Sequence, residues 1–417
     1  MTSFRFVHAA DLHLDSPLMG LACKSPDFAK RVETASRQAF DNLVALAIEE
    51  GCRFVVLAGD IFDGELRNYQ AGLYFMDGMR RLREVGIDVF MVLGNHDSAN
   101  QFAAKLSFSG NVHVFAKART ESRVLEDVGA VVHGRSFPRW DFDENMARDY
   151  PAAVRGVFNI GVLHTACAGS EGEHARYAPC TVEQLTNHGY EYWALGHVHE
   201  HAVLSEAPHI VYSGNLQGRH SREDGAKGAV LVTVDDGAVA SLEHRALDVV
   251  RWAVVRADVS SHADRSVMLD ALREVVRAQC VAAGDRPVAL RLIVTGAAPL
   301  HGELVLQSVS VREDVEAHLE TLPQEVWLEK LVIETERPQA VETVDPTVAG
   351  RLDAEVQRIV GTGGMAEALE ARLAEIRAKL PAGAHADKFI ERMRAEIPRR
   401  AGALARVLVS EAGNAPD

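Results

Sequence analysis

Short apolar runs alternate with helical patterns over residues 1–245. Five runs have the length and composition of buried strands, namely FRFVHAA (4–10), RFVVLAG (53–59), DVFMVLG (88–94), FNIGVLH (158–164) and YEYWALG (190–196). A helix is predicted between the first two because apolar residues recur there at spacings of three and four, namely Val32, Ala35, Ala39, Leu43 and Leu46. Two further β segments follow, HIVYSG (209–214) and a hairpin around DDG in residues 228–247. This alternation predicts a layered α/β core.

The pattern of apolar and polar residues changes twice further along the chain, and these changes predict three domains. Residues 1–248 form the strand-and-helix domain, 249–342 a small α+β domain, and 343–417 a helical segment. Two amphipathic helices are predicted in the last segment, from Leu369, Leu373, Ile376 and Leu380 and from Ile390, Met393 and Ile397. The helix pair either packs on its own domain or docks on a partner, and the pattern favours neither.

Composition and charge narrow the class of protein. The 417 residues are 47% apolar and 25% charged, as in an ordinary globular protein. The chain starts directly with a strand pattern and has no apolar run long enough for a bilayer, so we expect a cytoplasmic protein without a membrane partner. Five scattered cysteines without a Cys-x-x-Cys pair indicate reduced thiols. The net charge of −15 repels nucleic acid, so action on DNA would require bound cations or a basic partner.

Polar residues follow each of the five predicted strands at its carboxyl end, where open α/β sheets build their sites. They are Asp11 and His13 in ADLH, Asp60 in GDIFD, Asn95, His96 and Asp97 in GNHD, His164 in LHTA, and His197 and His199 in GHVH. Taken singly, each motif is also typical of a turn or a loop. Together they offer carboxylate, imidazole and amide ligands, a mixture that suits manganese, iron or zinc. Such a set would hold two ions bridged by a carboxylate, the usual arrangement for attack on phosphorus.

Glycines precede three of these motifs. Gly59, Gly94 and Gly196 stand where the backbone must turn sharply and approach the ions closely. Two neighbouring histidines are not assigned to metal. We expect His8 to be a buried strand residue or to lie behind the ligands, and His201 to be a solvated neighbour of GHVH.

The order DLH, GDIFD, GNHD, LHTA and GHVH resembles the calcineurin-like metallophosphoesterase superfamily, and the resemblance covers residues 4–245. FVHAADLHLDSPL and YSGNLQGRHSREDGAKG are similar to its DNA repair exonuclease group, which includes SbcD-like proteins and, closest to this chain, the YhaO type. The chain departs from the SbcD pattern at Asp15, where Gly is usual, and at Ser213, where Pro is usual. The resemblance implies a β-sandwich flanked by helices and a centre of two divalent ions, for which Mn²⁺ is the first choice.

The resemblance also implies a role for each residue of the motifs. Asp11, His13 and His199 would hold one ion, Asn95, His164 and His197 would hold the other, and Asp60 would bridge the two. His96 would face the scissile phosphate, stabilise the transition state and protonate the leaving oxygen, while Asp97 would orient His96. A hydroxide bridging the ions would be the nucleophile. The implied reaction is hydrolysis of DNA phosphodiester bonds, in exonuclease or endonuclease mode.

The remaining expectations concern partners. Asn215, Arg219 and His220 are candidates for contact with the DNA backbone, and a surface turn explains Arg219 and His220 equally well. The resemblance implies that residues 249–342 cap the DNA, that the C-terminal helices dock on the coiled coil of an SMC-like ATPase, and that the chain forms a homodimer. The candidate dimer helix spans residues 68–86, whose apolar face could instead pack on the sheet; that face carries Leu73, Met76 and Met79.

Two other functions stay open at this point. The same metal site would serve a phosphatase or phosphodiesterase that acts on a small nucleotide or a phosphoprotein, although such relatives often lack a long carboxyl extension. Alternatively, the chain is a regulatory subunit of an ATPase with little activity of its own. The complete ligand set speaks against this second alternative.

Overall fold

The structure, a computed structural model, describes residues 3–16, 26–62, 70–99, 108–168, 177–338, 363–380 and 389–397, together with residues 355, 358 and 386–387. The strands are β1 (Phe4–Ala9), β2 (Phe54–Ala58), β3 (Asp88–Val92), β4 (Val112–Val114), β5 (Glu121–Leu125), β6 (Ala130–Gly134), β7 (Phe158–His164), β8 (Cys167–Ala168), β9 (Cys180–Thr181), β10 (Tyr192–Gly196), β11 (Ala202–Glu206), β12 (His209–Tyr212), β13 (Gly228–Asp235), β14 (Ala238–Ala246), β15 (Arg251–Asp258), β16 (Val288–Ala297) and β17 (Val326–Glu336). The helices are α1 (Pro26–Glu49), α2 (Gln70–Glu84), α3 (Asn95–Ala99), α4 (Val182–Thr186), α5 (Arg265–Ala283), α6 (His301–Leu306), α7 (Ser308–Leu319) and α8 (Gly363–Lys379), with a 3₁₀ turn at Met146–Asp149. Residues 389–397 are helical as well.

The described chain divides into two compact units. The first is drawn from residues 1–254, 279–290 and 324–329, and the second from residues 255–278, 291–323 and 330–417. Every residue of the predicted site belongs to the first unit. The predicted domain limits at residues 248 and 342 stay a prediction, because the two units alternate along the chain and residue 342 lies outside the described residues.

Two six-stranded mixed sheets build the first unit. One has the order β14–β13–β1–β2–β3–β4, and the other has the order β11–β12–β10–β7–β6–β5. Strands β1, β2 and β3 run parallel, as do β6, β7 and β10. β13 pairs antiparallel with β1, with Phe4 opposite Val234. The expected class, an α/β sandwich flanked by helices, is confirmed, and the parallel strands bring their carboxyl ends to the same edge of each sheet.

An apolar core fills the space between the sheets. Phe6 and Phe54 of the first sheet belong to one buried cluster with Phe158 and Tyr192 of the second. The rings of Phe6 and Tyr192 meet edge to face, with their centroids 5.3 Å apart. Successive strand residues point to opposite faces of the sheet. Val7 and the residues of β2 and β3 that point the same way therefore pack in a second cluster, with α1 and α2. Burial on both faces explains why these strands are continuous apolar runs in the sequence.

The hairpin predicted around DDG is formed by β13 and β14, which pair antiparallel. Its two turn residues, Asp236 and Gly237, both have positive φ, at 48° and 78°. This is the conformation that two-residue hairpin turns require, and Asp-Gly adopts it readily. The hairpin matters for the site because it supplies the strand that flanks β1.

The candidate dimer helix corresponds to α2, although residues 68 and 69 lie outside the described residues. Met79 is buried in the cluster between α1, α2 and the sheet, whereas Leu73 is 63% exposed and Met76 is half-buried. The three residues therefore do not form one free apolar face. Packing on the sheet accounts for Met79, and only Leu73 is left fully available to a partner.

The two C-terminal helices contact each other. The Arg394 guanidinium donates to both carboxylate oxygens of Glu370 at 2.6 and 2.8 Å, and Arg377 donates to Asp387 at 2.7 Å. Leu373 and Ile390 are buried as the amphipathic patterns predict, whereas Ile376 of the same predicted face is 37% exposed. Docking of this pair on an ATPase stays a prediction. None of the described helices combines the length and the apolar character needed to cross a membrane.

Candidate metal centre

The carboxyl ends of five strands meet at one buried site. The ligand atoms of Asp11, His13 and His199 all lie within 4.8 Å of one another, and so do those of Asp11, Asp60 and His164. These five side chains are at most 9% exposed although each is polar or charged. Burial of unpaired charge is costly, so this cluster of carboxylates and imidazoles is the combination that a cation would stabilise.

Backbone hydrogen bonds tie the strand ends together. The Asp11 N–H donates to the carbonyl of Gly59 at 2.9 Å, and the His13 N–H donates to the carbonyl of Asp60 at 3.1 Å. The Asp11 carboxylate accepts the backbone N–H of His197 at 2.9 Å. The loops after β1, β2 and β10 are therefore fixed relative to one another through the groups that lie next to the ligand atoms.

Asp60 lies in the middle of the cluster. One carboxylate oxygen accepts the His96 backbone N–H at 3.0 Å. The other oxygen is 3.4 Å from Nε2 of His164 and 3.9 Å from Nε2 of His13. Burial alone would raise the pKa of Asp60, but its attraction to His164 and His13 outweighs this and holds the pKa far below its usual range. Asp60 faces both groups of predicted ligands, as a bridging carboxylate must.

His164 is oriented so that Nε2 faces the site. Its Nδ1 is 2.9 Å from the carbonyl of Ala58 and donates to it, and its Nε2 is 2.9 Å from the amide oxygen of Asn95. Burial disfavours the charged ring, but Asp60 overcomes this and raises the pKa of His164 to about 9. For Asp11, burial is the dominant effect and raises the carboxyl pKa.

His199 is oriented in the same way as His164, with Nδ1 beside an acceptor and Nε2 facing the site. Its Nδ1 is 2.7 Å from Glu223 Oε1, and its Nε2 is 3.2 Å from Nε2 of His13 and 3.8 Å from Asp11. Burial lowers the pKa of His199, which favours the neutral ring. When Nδ1 carries the proton, the lone pair is on Nε2, the form that binds a metal ion. The donor set therefore fits divalent ions of the manganese, iron or zinc type.

The other predicted residues border the cluster. The His197 ring is 5.2 Å from the His164 ring, and the His96 ring is 5.2 Å from the His13 ring, both edge to face. His96 is half-buried and is the second residue of the short helix α3, which begins at Asn95. The structure thus brings all nine residues of the five motifs into one region.

Asp97 holds two loops at once. Its carboxylate accepts the backbone N–H groups of Ile61, Phe62 and Gly94 at 3.0–3.1 Å. Burial, together with repulsion from Asp60, raises the Asp97 pKa to about 6 in spite of these hydrogen bonds. Through these contacts Asp97 joins the loop after β2 to the loop that carries Asn95 and His96.

The glycines before the ligands have the predicted mechanical role. A Cβ at Gly94 would lie 2.1 Å from the Asp60 carboxylate, and one at Gly196 would lie 2.1 Å from the Ala58 carbonyl. Gly59 has a φ of +95°, and a Cβ there would lie 2.6 Å from Nδ1 of His164. Side chains at these positions would push the ligand loops apart.

The candidates for DNA contact lie in different environments. His220 is exposed and Arg219 is half-buried, whereas Asn215 is fully buried and donates to Glu223 at 2.9 Å. The burial of Asn215 speaks against its expected contact with DNA, because no substrate reaches a side chain with 0% exposure. Among the flanking histidines, His8 is a buried strand residue as expected. His201 is half-buried and stacks on His244 with the centroids 4.4 Å apart, so it is not a solvated neighbour.

Glu223 and Lys227 are buried charged residues that the sequence pattern did not single out. Glu223 contacts His199, and the Lys227 ammonium donates to the His199 carbonyl at 2.9 Å. Both lie in a segment rich in Gly, Ser and charged residues, which is typical of an exposed turn. In the sequence, the one feature that sets this segment apart is that it belongs to YSGNLQGRHSREDGAKG, the stretch that is similar to the DNA repair exonuclease group.

The fold and the site define a metal-dependent phosphoesterase, and comparison with known proteins agrees. The calcineurin-like phosphoesterase family matches residues 4–201, and the middle domain of metallophosphoesterase YhaO matches residues 252–336. The uncharacterized metallophosphoesterase YhaO of Bacillus subtilis is 34% identical over 359 residues, which cover 84% of this chain and 86% of that protein. The chain therefore belongs to the calcineurin-like metallophosphoesterase family.

More distant relatives include DNA repair proteins. The DNA double-strand break repair protein Mre11 of Methanopyrus kandleri is 26% identical over 272 residues, or 57% of this chain and 56% of that protein. The Mre11 protein of Thermoplasma acidophilum is 21% identical over 318 residues, or 73% of this chain and 80% of that protein. The chain thus spans only about half the length of the first of these two relatives.

Proposed function

We propose that this protein is a DNA phosphodiesterase that works with two divalent ions, Mn²⁺ being the first candidate. The observation that carries the proposal is the convergence of five strand ends on one buried cluster of carboxylate, imidazole and amide ligand atoms. The choice of DNA rests on the similarity to proteins named for DNA double-strand break repair. The same similarity supports the proposal that the chain serves in a DNA repair complex.

The proposed ligands divide into two groups around Asp60. Asp11, His13 and His199 would hold one ion, and Asn95, His164 and His197 would hold the other. The short distances within the first group and around Asp60 support this division. Asp60 would serve both ions because one carboxylate can bind through two oxygens. The mixture of nitrogen and oxygen donors favours Mn²⁺ over Mg²⁺.

When bound, the two ions would neutralise the phosphate and acidify the attacking water. The chain's own residues would do the rest. His96 lies in the first turn of α3 beside the cluster, and its backbone N–H donates to the Asp60 carboxylate at 3.0 Å. We assign His96 the transfer of a proton to the leaving oxygen and stabilisation of the charge on the phosphate. Asp97 would act through His96 by fixing the loop that carries it.

Contact with DNA beyond the scissile phosphate would come from the surface near His199. His220 is exposed there, and Arg219 lies half-buried beside it. Asn215 instead would hold Glu223 from the interior. Because the chain carries a net charge of −15, bound cations and a partner would have to supply most of the attraction for DNA. An SMC-like ATPase docked on the C-terminal helices and a second copy of the chain are the proposed partners.

The proposal is tested by incubating the purified chain with labelled linear duplex DNA and Mn²⁺. His96→Ala is expected to lower the rate of DNA cleavage by about 10²–10⁴-fold while Mn²⁺ still binds, because a general acid contributes about that much. His188→Ala is the matched control and should cleave at the wild-type rate, because His188 is a half-buried histidine in the turn before β10, at the end of that strand away from His197. A small chromogenic diester is assayed in parallel.

Each outcome has a distinct meaning. Cleavage of the small diester without cleavage of DNA would contradict DNA as the substrate of the isolated chain and leave the metal chemistry intact. Turnover of neither substrate, with Mn²⁺ bound, would contradict the enzymatic proposal and favour a regulatory subunit.

A further inference from the structure

The segment between β12 and β13, residues 213–227, surrounds one of the candidate ligands. Glu223 Oε1 is 2.7 Å from Nδ1 of His199. The Lys227 ammonium donates to the His199 carbonyl at 2.9 Å, and the Asn215 backbone N–H donates to the same carbonyl at 3.4 Å. The segment therefore contacts both the ring and the backbone of His199, on the side away from the cluster of ligand atoms.

Glu223 is the centre of these contacts. It is only 6% exposed, yet its carboxylate accepts the side-chain amide of Asn215 at 2.9 Å, the backbone N–H of Arg219 at 2.8 Å and the Arg219 guanidinium at 3.1 Å. A buried carboxylate that accepts this many hydrogen bonds is held in one position.

The position of Glu223 decides which nitrogen of His199 carries the proton. Nδ1 of His199 lies beside the Glu223 carboxylate and, at 3.1 Å, the Arg219 guanidinium. A guanidinium only donates, so pairing with Arg219 would place the proton on Nε2 and block the metal-binding lone pair. Pairing with Glu223 places the proton on Nδ1 and leaves the lone pair on Nε2, which faces Nε2 of His13 at 3.2 Å.

We propose that Glu223 is a positioning residue of the metal centre, which sets the tautomer and ring orientation of His199 and so the affinity for one of the two ions. The inference rests on the proposed function, since it takes His199 as a ligand. Arg219 and Asn215 hold the Glu223 carboxylate in place, so this part of the loop acts on the metal centre through His199. His164 has no side-chain carboxylate in this role, because the Ala58 carbonyl accepts from its Nδ1.

The test is titration of the full, metal-free chain with Mn²⁺ by isothermal titration calorimetry. Glu223→Gln is expected to weaken the binding of one ion by about 10–100-fold and to leave the other unchanged, as is usual when the partner of a ligating histidine is lost. The matched control is Glu50→Gln, which removes a carboxylate paired with Arg5 and Arg245 at distances of 3.0 and 2.9 Å, outside the site. It should bind both ions as the wild type does.

A double-mutant cycle separates positioning from general support of the fold. His199→Ala should weaken the same ion, and adding Glu223→Gln to His199→Ala should weaken it no further, because both changes act through one ligand. If Glu223→Gln fails to fold, Glu223→Asp keeps the charge but shortens the side chain, and it should weaken the same ion to a smaller extent.

The inference is overturned if the Glu223 variants bind both ions with wild-type affinity, or lose both ions to the same extent. Failure of the proposed function looks different. In that case the wild type itself binds fewer than two ions, or binds two and cleaves no phosphodiester.

Discussion

Four of the candidate ligands have a backbone conformation that residues other than glycine rarely adopt. The φ angles are 51° at Asp11, 42° at His13, 51° at Asp60 and 100° at His197. Each such residue costs of order 1–3 kcal/mol unless the surroundings enforce it. Here the hydrogen bonds that join the strand ends hold the conformation. Backbone strain at four neighbouring positions is typical of a functional site, and a turn with a purely structural role does not require it.

His8 leads to a prediction about acid stability. It is fully buried between the sheets, where Nδ1 is 3.0 Å from the Tyr192 hydroxyl and Nε2 is 3.2 Å from the Leu195 carbonyl. Burial lowers its pKa from 6.5 to about 3. The unfolded chain therefore takes up a proton below pH 6.5 that the folded chain refuses, so stability is lost as the pH falls from 6.5 towards 3.

Urea denaturation in EDTA measures this effect. His8 alone should lower the free energy of unfolding by about 2 kcal/mol between pH 7 and pH 5. His8→Gln, which cannot take up a proton, should reduce the pH dependence by that amount. Equal pH dependence in the two proteins would mean that His8 is protonated in the folded state. Buried His133 and half-buried His244, whose pKa values desolvation lowers to about 4, add to the dependence in both proteins.

At the scale of elements, the site depends on how closely the strand ends approach. The loop after β3 passes so near Asp60 that only a glycine fits at position 94. Gly161 of β7 is similar on the face of the second sheet that points away from the first, because a Cβ there would lie 2.3 Å from the Trp193 ring. Close packing of backbone against ligand and ring leaves this loop and this strand a single arrangement.

Gly94→Ala tests this packing. The added methyl must displace the Asp60 carboxylate, so we expect a loss of about 1–3 kcal/mol in the free energy of unfolding and weaker Mn²⁺ binding. Gly110→Ala is the matched control, because among the described residues, its chain neighbours apart, no atom lies within 4 Å of its added Cβ. Denaturation curves of the two variants measure the free energy of unfolding, and Mn²⁺ titrations measure the affinity for the ions. Normal Mn²⁺ binding by Gly94→Ala would show that the loop can move away.

The sequence predicted the elements of the site better than its surroundings. The five strands and their polar ends follow from continuous apolar runs ending in Gly, Asp, Asn or His, which are local patterns. The pairing of β1 with β13 was not predictable, because it joins residues far apart in the chain. The role of Glu223 was missed for the same reason. In a charged turn its sequence looks exposed, and only the folded chain brings it to His199.

At the scale of the whole molecule, the metal centre should couple to stability. A ligand that binds only the folded chain stabilises it by about 2.7 kcal/mol per site at 100 times its dissociation constant. Mn²⁺ should therefore raise the urea midpoint of the wild type above its value in EDTA. Asp60→Asn should lose most of this gain, because its charge lies between both groups of ligands. An identical gain in Asp60→Asn would mean that Mn²⁺ binds elsewhere.

The acidic surface of the whole chain limits what the centre can do alone. With 59 acidic against 44 basic residues, the proposed action on DNA would require bound cations and a partner to offset the repulsion. The proposed function therefore depends first on the metal centre.

The most direct measurement is anomalous diffraction from crystals of the full chain soaked in Mn²⁺. We expect two peaks about 3.5–4 Å apart, one beside Asp11, His13 and His199 and the other beside Asn95, His164 and His197, with Asp60 between them. A single peak, or peaks away from the ends of these strands, would contradict this expectation.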